Sequence, residues 1–112
     1  MAQSIYPVRI VGGHPDESVA ERIHAVEEDA YWRAAFSRRP YVKAGENYET
    51  YRSAYRHGWE SRGRYGEFGW EDVEADVERD WETRRDGSEL PWLLARSAVR
   101  DAWDRVDKIV AG

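Results

Sequence analysis

Residues 48–103 decide the fold and read YETYRSAYRHGWESRGRYGEFGWEDVEADVERDWETRRDGSELPWLLARSAVRDAW. Tryptophan recurs every 11 residues in this stretch, as Trp59, Trp70, Trp81, Trp92 and Trp103. Tyr48 extends the series backwards by one step. Eleven residues make almost three turns of an α-helix, with an overshoot of only about 20°. The spacing therefore predicts helices in which the large rings lie on one face of each helix.

Three quartets of apolar residues share one spacing, with offsets of 0, 3, 7 and 11 and an aromatic residue at each end. They are Tyr48, Tyr51, Tyr55 and Trp59; Trp70, Val73, Val77 and Trp81; and Trp92, Ala95, Val99 and Trp103. These offsets form one face of an amphipathic helix. The glycine-rich residues 61–69 and the Asp-Gly-Ser of 86–88 separate the quartets and are typical of helix breaks. We therefore expect helices at about 47–62, 70–84 and 89–110.

A further helix is predicted at about residues 17–36, ending before Pro40. Ser18 and Glu21 match a capping box. The predicted buried stripe at helical spacing is Val19, Ile23, Val26, Ala30 and Ala34. Residues 17–112 then form an all-α domain, most simply a four-helix bundle of two helical hairpins. The 22-residue repeat also fits a solenoid, but three units are few and the first helix departs from the pattern.

The composition predicts one folded domain with an aromatic core. Ile, Leu, Val and Phe make up only 19 of the 112 residues, but there are six Trp and seven Tyr. Each aromatic side chain buries roughly 150–250 Å² and so replaces several aliphatic ones. The absence of cysteine excludes disulfides, thiolate metal sites and a cysteine nucleophile. No apolar run approaches the ~18 residues of a membrane helix, and we expect a cytoplasmic protein without a signal peptide or a membrane partner.

Charge is arranged in blocks along the chain, whose net charge is −5. Residues 31–66 carry 8 basic and 3 acidic groups, whereas residues 67–89 carry 3 basic and 10 acidic groups. Fifteen of the 17 basic residues are Arg, which pairs with carboxylates and stacks on rings. Such blocks can neutralise each other within one chain or between copies of it.

Several motifs together resemble a family of small uncharacterised bacterial proteins, over roughly residues 31–106. The motifs are Tyr51–Gly58 (YRSAYRHG), Arg64–Gly66 (RYG), Trp70–Glu74 (WEDVE), Asp80–Glu82 (DWE), Trp92 and Ala98–Asp104 (AVRDAWD). Members of that family are sometimes linked to stress-associated domains. The resemblance implies a bacterial, stress-related protein, and it transfers no catalytic residue.

The leading functional hypothesis is a non-enzymatic interaction or scaffold protein that self-associates, with a protein partner as a further option. Residues 1–16 are predicted to form an extended arm and a turn, which lies either on its own chain or beside a strand of another. We expect no cofactor. The predicted contact residues are Tyr6, Val8 and Ile10 in the arm and Arg52, Arg56, Arg62, Arg64 and Tyr65 in the basic segment.

Two alternatives remain open at this stage. The interleaved rings and arginines of residues 48–65 are typical of a single-stranded nucleic-acid groove, although the net charge of −5 opposes phosphate binding. A ferritin-like metal site is suggested by Glu21-x-x-His24, with His57 and Glu60 in reverse order on another helix. A full site needs two such motifs and two further glutamates. No set of residues matches a known catalytic motif.

Overall fold

The computed structural model describes residues 23–84, 88 and 90–111. In this part the chain forms four α-helices and no β-strand: α1 (Ala25–Ala35), α2 (Tyr48–Arg64), α3 (Trp70–Arg84) and α4 (Trp92–Ala111). A short 3₁₀ turn, Phe36–Arg38, continues α1. The predicted all-α bundle is confirmed, and the bounds of α2, α3 and α4 agree with the prediction to within three residues. The predicted arm and capping box lie outside the described residues.

The prediction for the first helix is wrong in two respects. His24 is extended, with φ −103° and ψ 97°, so α1 begins at Ala25 and does not run through from residue 17. Its buried face is also different: Val26 is 84% exposed, whereas Glu28, Trp32 and Ala35 are buried. The Trp32 ring stacks on Tyr55 with 4.5 Å between centroids and 7° between planes. The face of α1 that carries the Trp32 ring therefore packs against α2, and the face that carries Val26 lies outward.

The predicted quartets form the core of the bundle. All twelve quartet positions are at most 7% exposed, so the 11-residue repeat marks the buried lines of α2, α3 and α4. The most extensive helix packing joins α2 to α4. These two helices approach so closely at Gly58 that an added Cβ would lie 2.3 Å from the Val99 carbonyl oxygen and 2.7 Å from the Ala102 Cβ. Only glycine fits this crossing.

Tryptophan rings attach α3 to α4. Trp70 stacks on Trp92, with centroids 6.4 Å apart, and meets Trp103 edge-on at 5.5 Å. At the other end of α3, the Trp81 Nε1–H donates a hydrogen bond of 2.9 Å to the Leu90 carbonyl oxygen. The rings of Trp70, Trp92 and Trp103 therefore pack the start of α3 against α4, and Trp81 joins the end of α3 to the residue pair that precedes α4.

A polar cluster fastens the segment between α1 and α2 to α4. Arg39 forms a two-pronged pair with Asp101, at 2.7 and 3.0 Å. The Tyr41 hydroxyl donates to the same carboxylate at 2.6 Å and lies 2.8 Å from the Tyr55 hydroxyl, which therefore donates to it. Burial and the hydrogen bond to Asp101 raise the pKa of Tyr41, which stays a neutral donor. The cluster holds the α1–α2 connection in place.

Candidate interaction site

A surface groove of about 630 Å³ runs between α1 and α2. Val26 lines it, and Arg52 and Arg56 from the predicted contact set line it as well. The carboxylates in the lining are Asp29, Glu49 and Glu60. The groove therefore combines an exposed apolar side chain with charges of both signs.

Asp29 organises the charges of this groove. Its carboxylate accepts a 2.8 Å hydrogen bond from the Tyr48 hydroxyl and a 3.3 Å bond from Arg52, and Arg33 lies 3.5 Å away. Burial by itself raises the pKa of Asp29. The Tyr48 hydrogen bond and the charges of the two arginines outweigh burial, so this pKa lies below its usual range. Asp29 is therefore ionised at neutral pH.

The two groove arginines are exposed and form surface ion pairs. Arg52 is 54% exposed and contacts Asp29 and Glu49. Arg56 is 55% exposed and lies 3.0 Å from Glu60 on the next turn of α2. Exposed pairs of this kind contribute about 0–1 kcal/mol. The Arg52 guanidinium can therefore exchange its present carboxylates for one on another molecule at small cost.

Arg62 is placed quite differently, because it is only 6% exposed. Its guanidinium bonds Asp107 on α4 at 3.1 Å and the Gly66 carbonyl oxygen at 3.0 Å. It also lies over the Trp103 ring, 5.8 Å from the centroid. Arg62 therefore joins the end of α2 to α4 inside the protein.

Arg64 and Tyr65 converge on one carboxylate of α3. Arg64 lies 3.2 Å from Asp80, and the Tyr65 hydroxyl donates to the same oxygen at 2.8 Å. Arg96 of α4 likewise pairs with Glu74 of α3. In these described pairs the charge blocks neutralise each other within one chain, which is one of the two arrangements the sequence allows.

The predicted metal ligands that the structure describes, His24, His57 and Glu60, are not gathered into a site. His57 is buried, and its Nε2–H donates a 2.9 Å bond to the Val77 carbonyl oxygen. Glu60 pairs with Arg56, His24 is exposed, and Glu21 lies outside the described residues. In the part of the chain that the structure describes, no three His, Asp or Glu side chains are grouped so that they could hold a metal ion.

The aromatic rings of the basic segment, which the sequence suggested as a surface for single-stranded nucleic acid, are buried. Tyr48, Tyr51, Tyr55 and Trp59 are at most 5% exposed, so bases cannot stack on them in the folded protein. Burial raises the pKa of Tyr51 to about 12 and that of Tyr55 to about 12, so both remain neutral. The basic segment thus places its rings in the core and its exposed arginines beside carboxylates.

Sequence reasoning missed two residues of the groove, Val26 and Asp29. The apolar pattern assigns Val26 to the core, and Asp29 lies 19 and 23 residues from the partners that define its role, so no local pattern reveals it. No family model, curated protein or solved structure matches the chain. The family resemblance of residues 31–106 stays a prediction. Among the described helices, none has the length and apolar character needed to cross a membrane.

Proposed function

We propose that this chain is a non-enzymatic interaction protein that self-associates through the α1–α2 groove. The observation that carries the proposal is Val26, which is 84% exposed in a groove lined by charges of both signs. A large exposed apolar side chain of this kind is a candidate centre for an interface whose rim is polar.

The charge pattern favours a second copy of the same chain as the partner. A two-fold interface brings one surface patch against itself, so the patch must be self-complementary. The groove supplies Arg52 and Arg56 together with the carboxylates of Asp29, Glu49 and Glu60. Across a two-fold axis, the arginines of one copy can meet the carboxylates of the other while the two Val26 side chains pack together.

The remaining predicted contacts have separate roles in this proposal. Tyr6, Val8 and Ile10 lie outside the described residues and supply a second contact by strand addition. Arg62, Arg64 and Tyr65 do not contact the second copy in this proposal. They affect self-association indirectly, because their bonds to α3 and α4 of their own chain hold α2 in place. A bacterial, cytoplasmic and stress-related role is part of the proposal and rests on the family resemblance alone.

Sedimentation equilibrium of the full chain tests the proposal. We expect a mass that is twice the 13.1 kDa of one chain, with dissociation promoted by salt because exposed charges contribute to the contact. Val26→Glu is expected to give monomers. Leu93→Glu is the matched control, because Leu93 is 85% exposed on α4 and does not line the groove.

Two results would overturn the groove as the contact surface. One is a parent chain that sediments as a monomer at tens of micromolar. The other is dissociation by Leu93→Glu with retention of the dimer by Val26→Glu. Circular dichroism of each variant verifies that the helices are intact, so that loss of the dimer is separated from loss of the fold.

A further inference from the structure

A second groove, of about 490 Å³, lies between α1 and α4 and shares no lining residue with the first. Tyr31 and Trp32 line it from α1, and Arg105, Lys108 and Ile109 line it from α4. The volume is within the range of small-molecule sites, roughly 300–1,000 Å³. Because the two grooves have no lining residue in common, a ligand in this one and a second copy of the chain in the other would touch different side chains.

Among the described residues that line this groove, one positive charge has no carboxylate partner, that of Lys108. Each carboxylate there has its own arginine: Asp101 pairs with Arg39, and Asp104 lies 3.1 Å from Arg100. Lys108 has no ion-pair or hydrogen-bond partner among the residues that the structure describes. In a chain with a net charge of −5, this groove is therefore a local site of positive charge.

Arg105 adds unused hydrogen-bond donors next to this charge. Only its Nε contacts the buried Glu28 carboxylate, at 3.1 and 3.2 Å. Its terminal amino groups have no hydrogen-bond partner within the described residues, and its guanidinium lies 3.7 Å from the centroid of the Tyr31 ring. Glu28 and Tyr31 thus fix the orientation of Arg105 and leave a planar set of donors for another acceptor.

Trp32 lines the groove and carries a buried N–H group without a hydrogen-bond partner among the described residues. This residue is 5% exposed, and the unpaired group is its indole Nε1–H. A buried N–H without a partner costs about 1–3 kcal/mol, and native proteins rarely leave one unpaired. This nitrogen atom is itself enclosed, so a ligand in the groove meets the Trp32 ring and not its N–H group.

The apolar part of the lining indicates what else the ligand carries. Tyr31 is 43% exposed and Ile109 is 45% exposed, so a ring and a branched aliphatic side chain face solvent beside the donors. We propose that the groove binds a small carboxylate with a planar apolar body. Lys108 and the terminal amino groups of Arg105 bind the carboxylate, and the body packs on Tyr31 and Ile109 beside the Trp32 ring.

Titration with phenylacetate, followed by ¹H–¹⁵N spectra of the full chain, tests this site. The indole Nε1–H signal of Trp32 is assigned by its loss in Trp32→Phe. We expect phenylacetate to shift that signal in a saturable way, and phenylacetamide, which has the same body without the charge, to bind at least about fivefold more weakly. That factor corresponds to the upper end of a surface charge pair.

The two lysines of the chain provide a matched pair of variants. Lys108→Gln is expected to weaken phenylacetate binding about fivefold, whereas Lys43→Gln, which removes the other lysine, leaves it unchanged. Equal affinity for acid and amide would overturn the carboxylate assignment. An unshifted Trp32 signal at the solubility limit of phenylacetate, or equal weakening by both lysine variants, would overturn the site itself.

Discussion

Gly58→Ala is expected to destabilise the protein although alanine is the better helix former. In an unobstructed helix interior, this change contributes about 1 kcal/mol in favour of folding. At Gly58 the added methyl group would lie 2.3 Å from the Val99 carbonyl oxygen, where ordinary contact begins near 3.4 Å. To reach that distance, α2 and α4 must move apart locally by about 1.1 Å, the difference between the two values.

The cost of this movement exceeds the gain in helix propensity. A gap of about 0.5–1 Å already loses a quarter to a half of the dispersion attraction between packed atoms. The gap would open along the most extensive helix contact of the bundle. Overpacking typically costs about 1–3 kcal/mol, and more where backbone must move. We expect a net loss of about 2 kcal/mol, which lowers the melting temperature of a domain this size by about 10 °C.

Urea unfolding followed by far-ultraviolet circular dichroism measures this loss. The double variant Gly58→Ala/Ala102→Gly serves as the control, because it removes the 2.7 Å contact with a methyl group but keeps the 2.3 Å contact with the backbone. We expect it to stay as unstable as Gly58→Ala or to become less stable. A midpoint for Gly58→Ala at or above that of the parent would refute the close approach of the helices. Recovery of parental stability in the double variant would identify the methyl group as the obstruction.

Three other changes test the core and the buried polar contacts. Trp103→Ala is expected to cost about 3–5 kcal/mol in urea unfolding, because this ring is 2% exposed between Trp70 and Arg62; a parental midpoint would contradict its burial. Glu28→Gln is expected to cost about 2 kcal/mol, since Glu28 is 4% exposed and bonds Arg105. Asp76→Asn, in an exposed pair with Arg79 outside both grooves, is expected to change stability by less than about 1 kcal/mol, and equal effects of the two variants would contradict the difference in burial. Burial lowers the pKa of His57 from its ordinary value of 6.5, so below that pH the unfolded chain binds a proton that the folded chain does not. The stability that His57 contributes is then fully present well above pH 6.5 and falls as the pH drops through that value, with a slope of at most about 1.4 kcal/mol per pH unit. The difference in unfolding free energy between the parent and His57→Gln measures this contribution, and a difference that does not change with pH would assign the slope to another group.

The fold of α2, α3 and α4 could be predicted because their cores are locally encoded. Each quartet places four apolar residues on one face within 12 positions, and breakers lie between the quartets. A ring at each end, such as Trp70 and Trp81 on α3, makes the period visible even where aliphatic residues are scarce. Periodicity of this kind needs no knowledge of the partner helix.

The rotation of α1 could not be predicted in the same way. The pattern of apolar positions predicts that Val26, Ala30 and Ala34 form the buried face of α1. The buried face instead contains the carboxylate of Glu28. That carboxylate can be buried only because Arg105, 77 residues further along the chain, pairs with it. A local pattern cannot indicate a partner so distant in sequence.

The candidate site was predictable only in part, for a related reason. The basic segment identifies Arg52 and Arg56 as charged and helical, and the structure places both in the α1–α2 groove. The same composition does not distinguish them from Arg62, which is buried against Trp103. An arginine remains exposed or becomes buried according to the side of the helix on which it lies and the partners it meets from distant parts of the chain. A count of charges along the sequence contains neither kind of information.

The two ways in which helices meet in this bundle imply very different tolerance to substitution. Near Gly58, α2 and α4 are separated by little more than their own backbones, so even one carbon atom cannot be added. The helix α3 is instead held at a distance by wide rings such as Trp70 and Trp81. Sequence variation and engineered diversity should therefore accumulate on the α3 side, where one large side chain can replace another, while the α2–α4 crossing stays invariant.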